Sequence, residues 1–224
     1  MLEDVFKGIA YKMGVIQQDE AIITHDPYEF IFNYCLTLDP HDFNNPIKKF
    51  PDFPYARALI DIFLKEKLIA VVKSRQLLVT WLFCALHVWL CAFHKGQYVF
   101  FISRKEADAG FDTPLSLCSR ALFICQHLPP ELKPVINKSL QPPILRFPKT
   151  LSVIQGVSQD SDALRQYTAS SVFSDEMAFQ EHANEAYAAI KPTIDGGGRL
   201  VCVSTPNGKN NLFYKIIQGD MLRA

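Results

Sequence analysis

The run Leu68-Ile-Ala-Val-Val72, the polar turn Lys73-Ser-Arg-Gln76 behind it and the apolar segment Leu77 to Phe93 constrain this chain more than any other stretch. Consecutive Leu, Ile, Ala and Val residues with no polar interruption predict a strand buried on both faces. The segment that follows is too long for a strand and predicts a helix; apolar all round, it must be buried on all sides. Strand, short turn and helix in that order place the turn at the carboxyl end of a parallel strand. There the unpaired N–H groups and the dipole of the helix converge on an anion such as phosphate.

The turn matches the phosphate-loop pattern G-x-x-x-x-G-K-[ST] only in part. Lys73 stands at the first glycine, Leu78 at the second, Val79 at the lysine and Thr80 at the hydroxyl that binds Mg²⁺. The loop therefore has no glycine, and its lysine comes six residues early. Alone, such a turn is equally a solvated strand end. A second stretch decides between the two. Ser170-Ser-Val-Phe-Ser-Asp-Glu-Met-Ala-Phe179, about 95 residues downstream of the turn, is a short apolar strand closing on two adjacent carboxylates. Neighbouring residues leave a strand on opposite faces, so Asp175 and Glu176 are expected to divide, one toward a metal and the other toward water.

Taken together these pieces resemble the ATPase domain of the large terminase subunits of tailed phages. Lys73-Ser-Arg-Gln76 resembles their deviant Walker A, whose lysine sits at the start of the loop. Ser174-Asp-Glu-Met-Ala-Phe179 looks like their Walker B with its catalytic glutamate, and Val201-Cys-Val-Ser-Thr-Pro-Asn-Gly208 looks like their coupling motif. Phe100-Phe-Ile-Ser-Arg-Lys-Glu-Ala-Asp108 is similar to the second strand and the following helix start, so the likeness covers roughly residues 50 to 210.

The resemblance implies an α/β P-loop ATPase of the additional-strand type, a mostly parallel sheet flanked by helices, with the strand ending at Ser204 between those of the two nucleotide motifs. It implies ATP as substrate and Mg²⁺ as cofactor. Lys73 would neutralise the β- and γ-phosphates, the backbone of Ser74, Arg75, Gln76, Leu77, Leu78 and Val79 would cradle them, and Thr80 and Asp175 would hold the metal. Glu176 would orient or deprotonate the attacking water, and Ser204 and Thr205 would sense hydrolysis. An arginine finger is expected, either Arg75 in cis or Arg104 or Arg165 across a subunit interface. The family's adenine-binding motif often carries glutamine after Pro-Tyr; here Ala56 follows Pro54-Tyr55, which leaves stacking by Tyr55. Implied partners are double-stranded DNA, the portal protein, the small terminase subunit and further copies in a ring, in the cytoplasm of an infected bacterium. Family members carry an RNase H-like nuclease domain behind the ATPase. No acidic cluster follows Ser204 apart from Asp220, so no nuclease activity is expected of this chain.

Composition narrows the rest. The chain of 224 residues is 49% hydrophobic, enough for one sizeable core, and its 23 basic residues balance 23 acidic ones. Any DNA contact must then come from a local patch or from several subunits. Six cysteines without a C-x-x-C pair, mostly in apolar segments, read as small reduced core residues. Cys84, His87, Cys91 and His94 share a helical face, but four ligands strung over about 15 Å cannot close around one ion. Glu3, Asp4 and Lys7 within the amino-terminal pattern argue against a signal peptide, and Leu77 to Phe93 is short for a bilayer span, so no membrane contact is expected.

In order, residues 1–66 predict helices and loops leading to the adenine side of the site, 67–210 the ATPase core and 211–224 the start of a helical segment. Asp26-Pro27 caps a helix, 40–54 is irregular and a helix starts near Pro54. Residues 97–103 form a strand, helices broken near Pro114 reach Leu128, and the proline-rich 129–148 is a surface connection. Segments 144–147 and 151–154 could pair as an edge hairpin. A helix over about 180–190 and a turn at Gly196-Gly-Gly198 lead into the strand 199–204. Two further readings stay open, an assembly module that binds nucleotide without turnover and a helicase-type motor needing a second such domain.

Overall fold

The computed structural model describes residues 24–159 and 161–219; the amino-terminal pattern of residues 3–7 and Asp220 lie outside them. The chain enters through a short helix α1 (Pro27–Glu29), capped by Asp26, whose side chain accepts from the amide of Tyr28, and continuing as a π-turn over Phe30–Tyr34. A hairpin not foreseen from sequence follows, β1 (Leu36–Leu38) antiparallel to β2 (Ile47–Lys49). Helix α2 (Pro54–Lys65) leads to β3 (Leu68–Val72), and α3 (Val79–Phe93) to β4 (Tyr98–Ser103). Then come α4 (Glu106–Ala109), α5 (Leu117–His127), β5 (Asn137–Ser139), β6 (Ile144–Phe147) and β7 (Ser152–Ser158). The rest is α6 (Ala163–Gln166), β8 (Ser171–Asp175), α7 (Ala183–Asp195), β9 (Arg199–Ser204) and α8 (Leu212–Gln218).

The main sheet has seven strands in the order β3-β9-β8-β4-β7-β6-β5, with β6 alone running opposite to the rest, antiparallel to both β7 and β5. As expected, β9 lies between β3 and β8. Side chains of each strand alternate between two cores. Val99 and Phe101 of β4 and Val201 and Val203 of β9 face the core built on α3 and α5. Phe100 and Ile102, Leu200 and Cys202 face the core built on α7 and α8. The result is a three-layer sandwich.

Helix α3 is enclosed on nearly every side, as its composition requires, with twelve of its fifteen residues buried. One of them is His87. Its Nδ1 donates to Phe83 O at 2.7 Å, which leaves Nε2 to accept from Ser171 Oγ at 2.8 Å and bolts the helix to β8. Burial pushes this imidazole down to about 3, so the ring stays neutral. The six cysteines are all buried and unpaired, and no group of residues suited to a metal centre of His, Cys, Asp and Glu occurs among the described residues. Among the same residues, no helix is long and apolar enough to cross a membrane.

Two expectations need correction. Strand β3 is not buried on both faces: it is the edge of the sheet, with β9 as its single strand partner, and Val72 is 52% exposed. The apolar run is instead covered by helices over its first residues, Ile69 above all. The hairpin β6–β7 is not the sheet edge, since β7 also pairs in parallel with β4 and the proline-rich connection contributes the outer strand β5.

Where α4 crosses β7, only glycine fits. A Cβ on Gly156 would stand 2.6 Å from Ala109 O and 2.9 Å from Ala109 C, both backbone atoms that cannot swing away. Gly156→Ala should therefore lower stability by about 1–3 kcal/mol in urea unfolding, the range for overpacking. Gly96→Asn, in open space at φ +68°, should change it by under about 0.5 kcal/mol. Equal midpoints for the two variants would contradict this crossing.

Candidate active site

Strand register assembles the site. Val72 pairs with Ser204, and Asp175 with Val203, so the chain leaves β3, β9 and β8 at one level of the sheet. Lys73 is still tied to the sheet by its amide, which donates to Ser204 O at 3.0 Å. Its side chain, only 11% exposed, crosses to the carboxylates: Nζ is 2.7 Å from Glu176 Oε1 and 3.9 Å from Asp175 Oδ1.

Asp175 and Glu176 do not divide as strand geometry predicts. Glu176 has left the strand and adopts a left-handed conformation, φ 51° and ψ 43°, ahead of a 3₁₀ turn over Met177–Phe179. That turn swings its carboxylate back, so both acids address the same ammonium. A left-handed non-glycine residue costs on the order of 1 kcal/mol, tolerated where surrounding contacts over-determine it. Here they do. Glu176 Oε2 accepts from Thr205 N and Thr205 Oγ1, both at 3.1 Å. Ser204 Oγ accepts from Ala178 N at 3.1 Å and shares its proton between Glu176 Oε2 at 3.2 Å and Thr205 O at 2.8 Å.

These contacts set the acids apart electrostatically. Burial works to raise the Glu176 carboxyl, but the hydrogen bonds from Lys73 and Thr205 outweigh it and hold the group below its ordinary value. Asp175 is raised, because burial outweighs the attraction of Lys73. Thr80 Oγ1, at the start of α3, donates to Asp175 at 3.1 Å. A hydroxyl and a carboxylate are hard oxygen donors, and two acids facing one ammonium leave negative charge in excess. Both features suit Mg²⁺.

The loop between Lys73 and Thr80 has the curvature of a phosphate cradle without glycine. Gln76 and Leu78 take φ of 65° and 53°, and Leu78 caps α3 at the position of the pattern's second glycine. The amides of Ser74, Arg75, Gln76 and Leu78 have no hydrogen-bond partner among the described residues. Val79, where the pattern has lysine, is buried in the apolar core. Tyr55 lies behind the loop: its hydroxyl donates to Leu77 O at 2.8 Å and its ring stacks on Phe53 at 5.4 Å.

A cleft of about 450 Å³ opens over Asp175, Glu176 and Thr205, with Arg75 and Arg104 on its wall. A second cavity of about 720 Å³ lies between the loop and the β1–β2 hairpin. Arg165, exposed on α6 and 3.9 Å from Asp162, lines neither. Sequence reasoning missed Arg120. On α5 it sits over Trp81 at 5.2 Å and donates Nε to Leu115 O at 2.7 Å, and from the larger cavity its charge works, as that of Lys73 does, against the burial that raises Asp175. Nothing in its helical surroundings marks it out; only the packing of α5 on α3 brings it to the loop.

The chain matches no family model and no curated protein. Its structure, however, superposes on solved phage proteins. One is the large terminase ATPase domain of Thermus phage P74-26, at TM-score 0.59 and 21% identity over 74% of this chain and 69% of that one. Another is the large terminase of bacteriophage HK97, at TM-score 0.65 and 12% identity over 93% of this chain and 42% of that one. The fold is that of a large-terminase ATPase domain. A third terminase, from a thermophilic bacteriophage, was solved with ATP-γ-S and matches at TM-score 0.52 and 13% identity, over 75% of this chain and 43% of that one. The terminase fold thus accounts for the sheet order, while identities this low leave each side chain's role to be argued from its surroundings.

The left-handed loop gives a direct test. Gln76 is exposed, so its substitutions report backbone conformation rather than packing. Gln76→Gly should leave stability within about 0.5 kcal/mol, relief of strain offsetting glycine's entropy. Gln76→Val should lose more than about 1 kcal/mol, since a β-branched residue resists positive φ. Equal unfolding midpoints would show that the loop is not left-handed there.

Proposed function

We propose that this chain is the ATP-hydrolysing motor domain of a viral large terminase, driving double-stranded DNA into a procapsid in the cytoplasm of an infected bacterium. The terminase fold supports the reading, and one observation carries it: Glu176 is held between Lys73 of the loop and Thr205 at the end of β9, on neighbouring parallel strands.

The chemistry follows from these positions. Lys73 and the unpartnered loop amides bind the phosphates, with Arg75 beside them. Thr80 Oγ1 and Asp175 would hold Mg²⁺, which when bound would supply charge neutralisation for the phosphates. When Lys73 moves from Glu176 to a phosphate, Glu176 loses the strongest hydrogen bond that lowers its carboxyl and becomes a better base. It then takes a proton from water as the water oxygen attacks the γ-phosphorus and the bond to the β–γ bridging oxygen breaks. Thr205 and Ser204 feel that change through their bonds to the same carboxylate and pass it along β9, whose end also holds the backbone of Lys73. Arg104 or Arg165 of a neighbouring copy completes the charge balance in a ring assembled on the portal protein with the small terminase subunit.

Glu176→Gln should bind Mg-ATP but turn it over at least about 100-fold more slowly, the scale for loss of a positioned base. Lys73→Ala should abolish turnover and also weaken binding. Phosphate release measured by malachite green, with and without DNA, reads both. Unchanged turnover in either variant would remove that residue from the mechanism.

A further inference from the structure

We propose that Arg120 is a second phosphate-binding cation of the site, reaching the α- and β-phosphates of the nucleotide from α5, on the helix side of the loop. The proposal rests on the ATP reading above and adds a phosphate ligand that lies outside every nucleotide motif of the sequence. It starts from a missing charge. The pattern's lysine would rise from the first turn of α3, but Val79 stands there, buried in the apolar core. Lys73 approaches instead from the sheet, where Glu176 and Asp175 hold it. On the helix side of the loop the cation is Arg120.

Its guanidinium is fixed in place. Arg120 lies in the first turn of α5 and Trp81 in the first turn of α3, with Cζ of the arginine 5.2 Å from the centre of the indole. Nε is engaged by Leu115 O at 2.7 Å, while Nη1 and Nη2 have no acceptor among the described residues. Nor, among those residues, does a carboxylate come within ion-pair range of Arg120. A half-buried guanidinium with its plane set and two donors to spare is suited to two oxygens of a phosphate group. The space it borders is shared with Lys73, Arg75 and Thr80. Asp39 on the same wall is already bridged to Lys48 at 2.8 Å, so positive charge is in excess there. Position selects the phosphate. Asp175, Glu176 and Thr205 border the other cleft, which Arg120 does not, so the transferred phosphate belongs with them and Arg120 meets the two that stay behind.

Calorimetric binding of Mg-ADP and Mg-ATP reads the contact. Arg120→Gln should weaken both at least about 10-fold and by similar factors, because the oxygens it releases are common to the two ligands. Arg120→Lys, which keeps the charge, should lose less. Unchanged ADP affinity in Arg120→Gln, a loss confined to ATP, or equal loss in the two variants would each overturn the proposal. A second arm uses the parent chain and needs no variant to fold. Under phenylglyoxal, saturating Mg-ADP should protect Arg120 but not Arg165, which borders neither cavity, as read by peptide mass mapping. Equal modification of Arg120 with and without Mg-ADP would also overturn the proposal. Each of these contrary results leaves the ATPase reading standing, whereas failure of the parent chain to bind either nucleotide would sink that reading instead.

Discussion

The contact of Lys73 with Glu176 is the interaction on which the rest of the site depends. It joins the first residue beyond β3 to the residue beyond β8, across β9, and each end is secured elsewhere. Lys73 is anchored through its own amide to β9, and Glu176 through two bonds from Thr205. The ammonium is therefore positioned by strand register rather than by the loop. That explains how a lysine six residues early in the sequence still reaches the acid beyond β8. It also explains why the charge cannot simply move to the usual place. Val79 is 3% exposed in an apolar core, where an unpaired ammonium would cost several kcal/mol.

The same geometry lets Lys73 offset part of the site's negative charge. Glu176 would be expensive to leave ionised and unpaired at 35% exposure beside Asp175 at 14%, and Lys73 offsets that repulsion. A phosphate that draws Lys73 away exposes the two acids to each other, which raises the demand for a divalent cation at Asp175 and Thr80. Under the proposed function, nucleotide, metal and base strength would in this way be coupled through one side chain.

Much of this was legible in the sequence because it depends on short-range pattern. The apolar run, the polar turn and the long apolar segment fixed the strand, loop and helix around Lys73, and the acid pair marked the end of β8. The placement of β9 between β3 and β8 came from resemblance, not from pattern, since periodicity does not report strand order. Burial of β3 was misjudged for the same reason: five apolar residues read alike at the centre of a sheet or at its edge beneath helices. The β1–β2 hairpin escaped notice because three-residue strands in a stretch rich in Asp, Asn and Pro carry no usable alternation. Glu176's turn out of strand geometry and the approach of Arg120 are set by tertiary contacts, which local sequence does not encode.

The central claim is that Lys73 leaves Glu176 for the nucleotide. A crystal structure with Mg²⁺ and a non-hydrolysable ATP analogue measures it as two distances. The account predicts Lys73 Nζ within about 3.2 Å of a β- or γ-phosphate oxygen and its contact with Glu176, 2.7 Å without nucleotide, lengthened beyond hydrogen-bonding range. An analogue bound in the loop with Lys73 still on Glu176 and no phosphate oxygen within reach would contradict it.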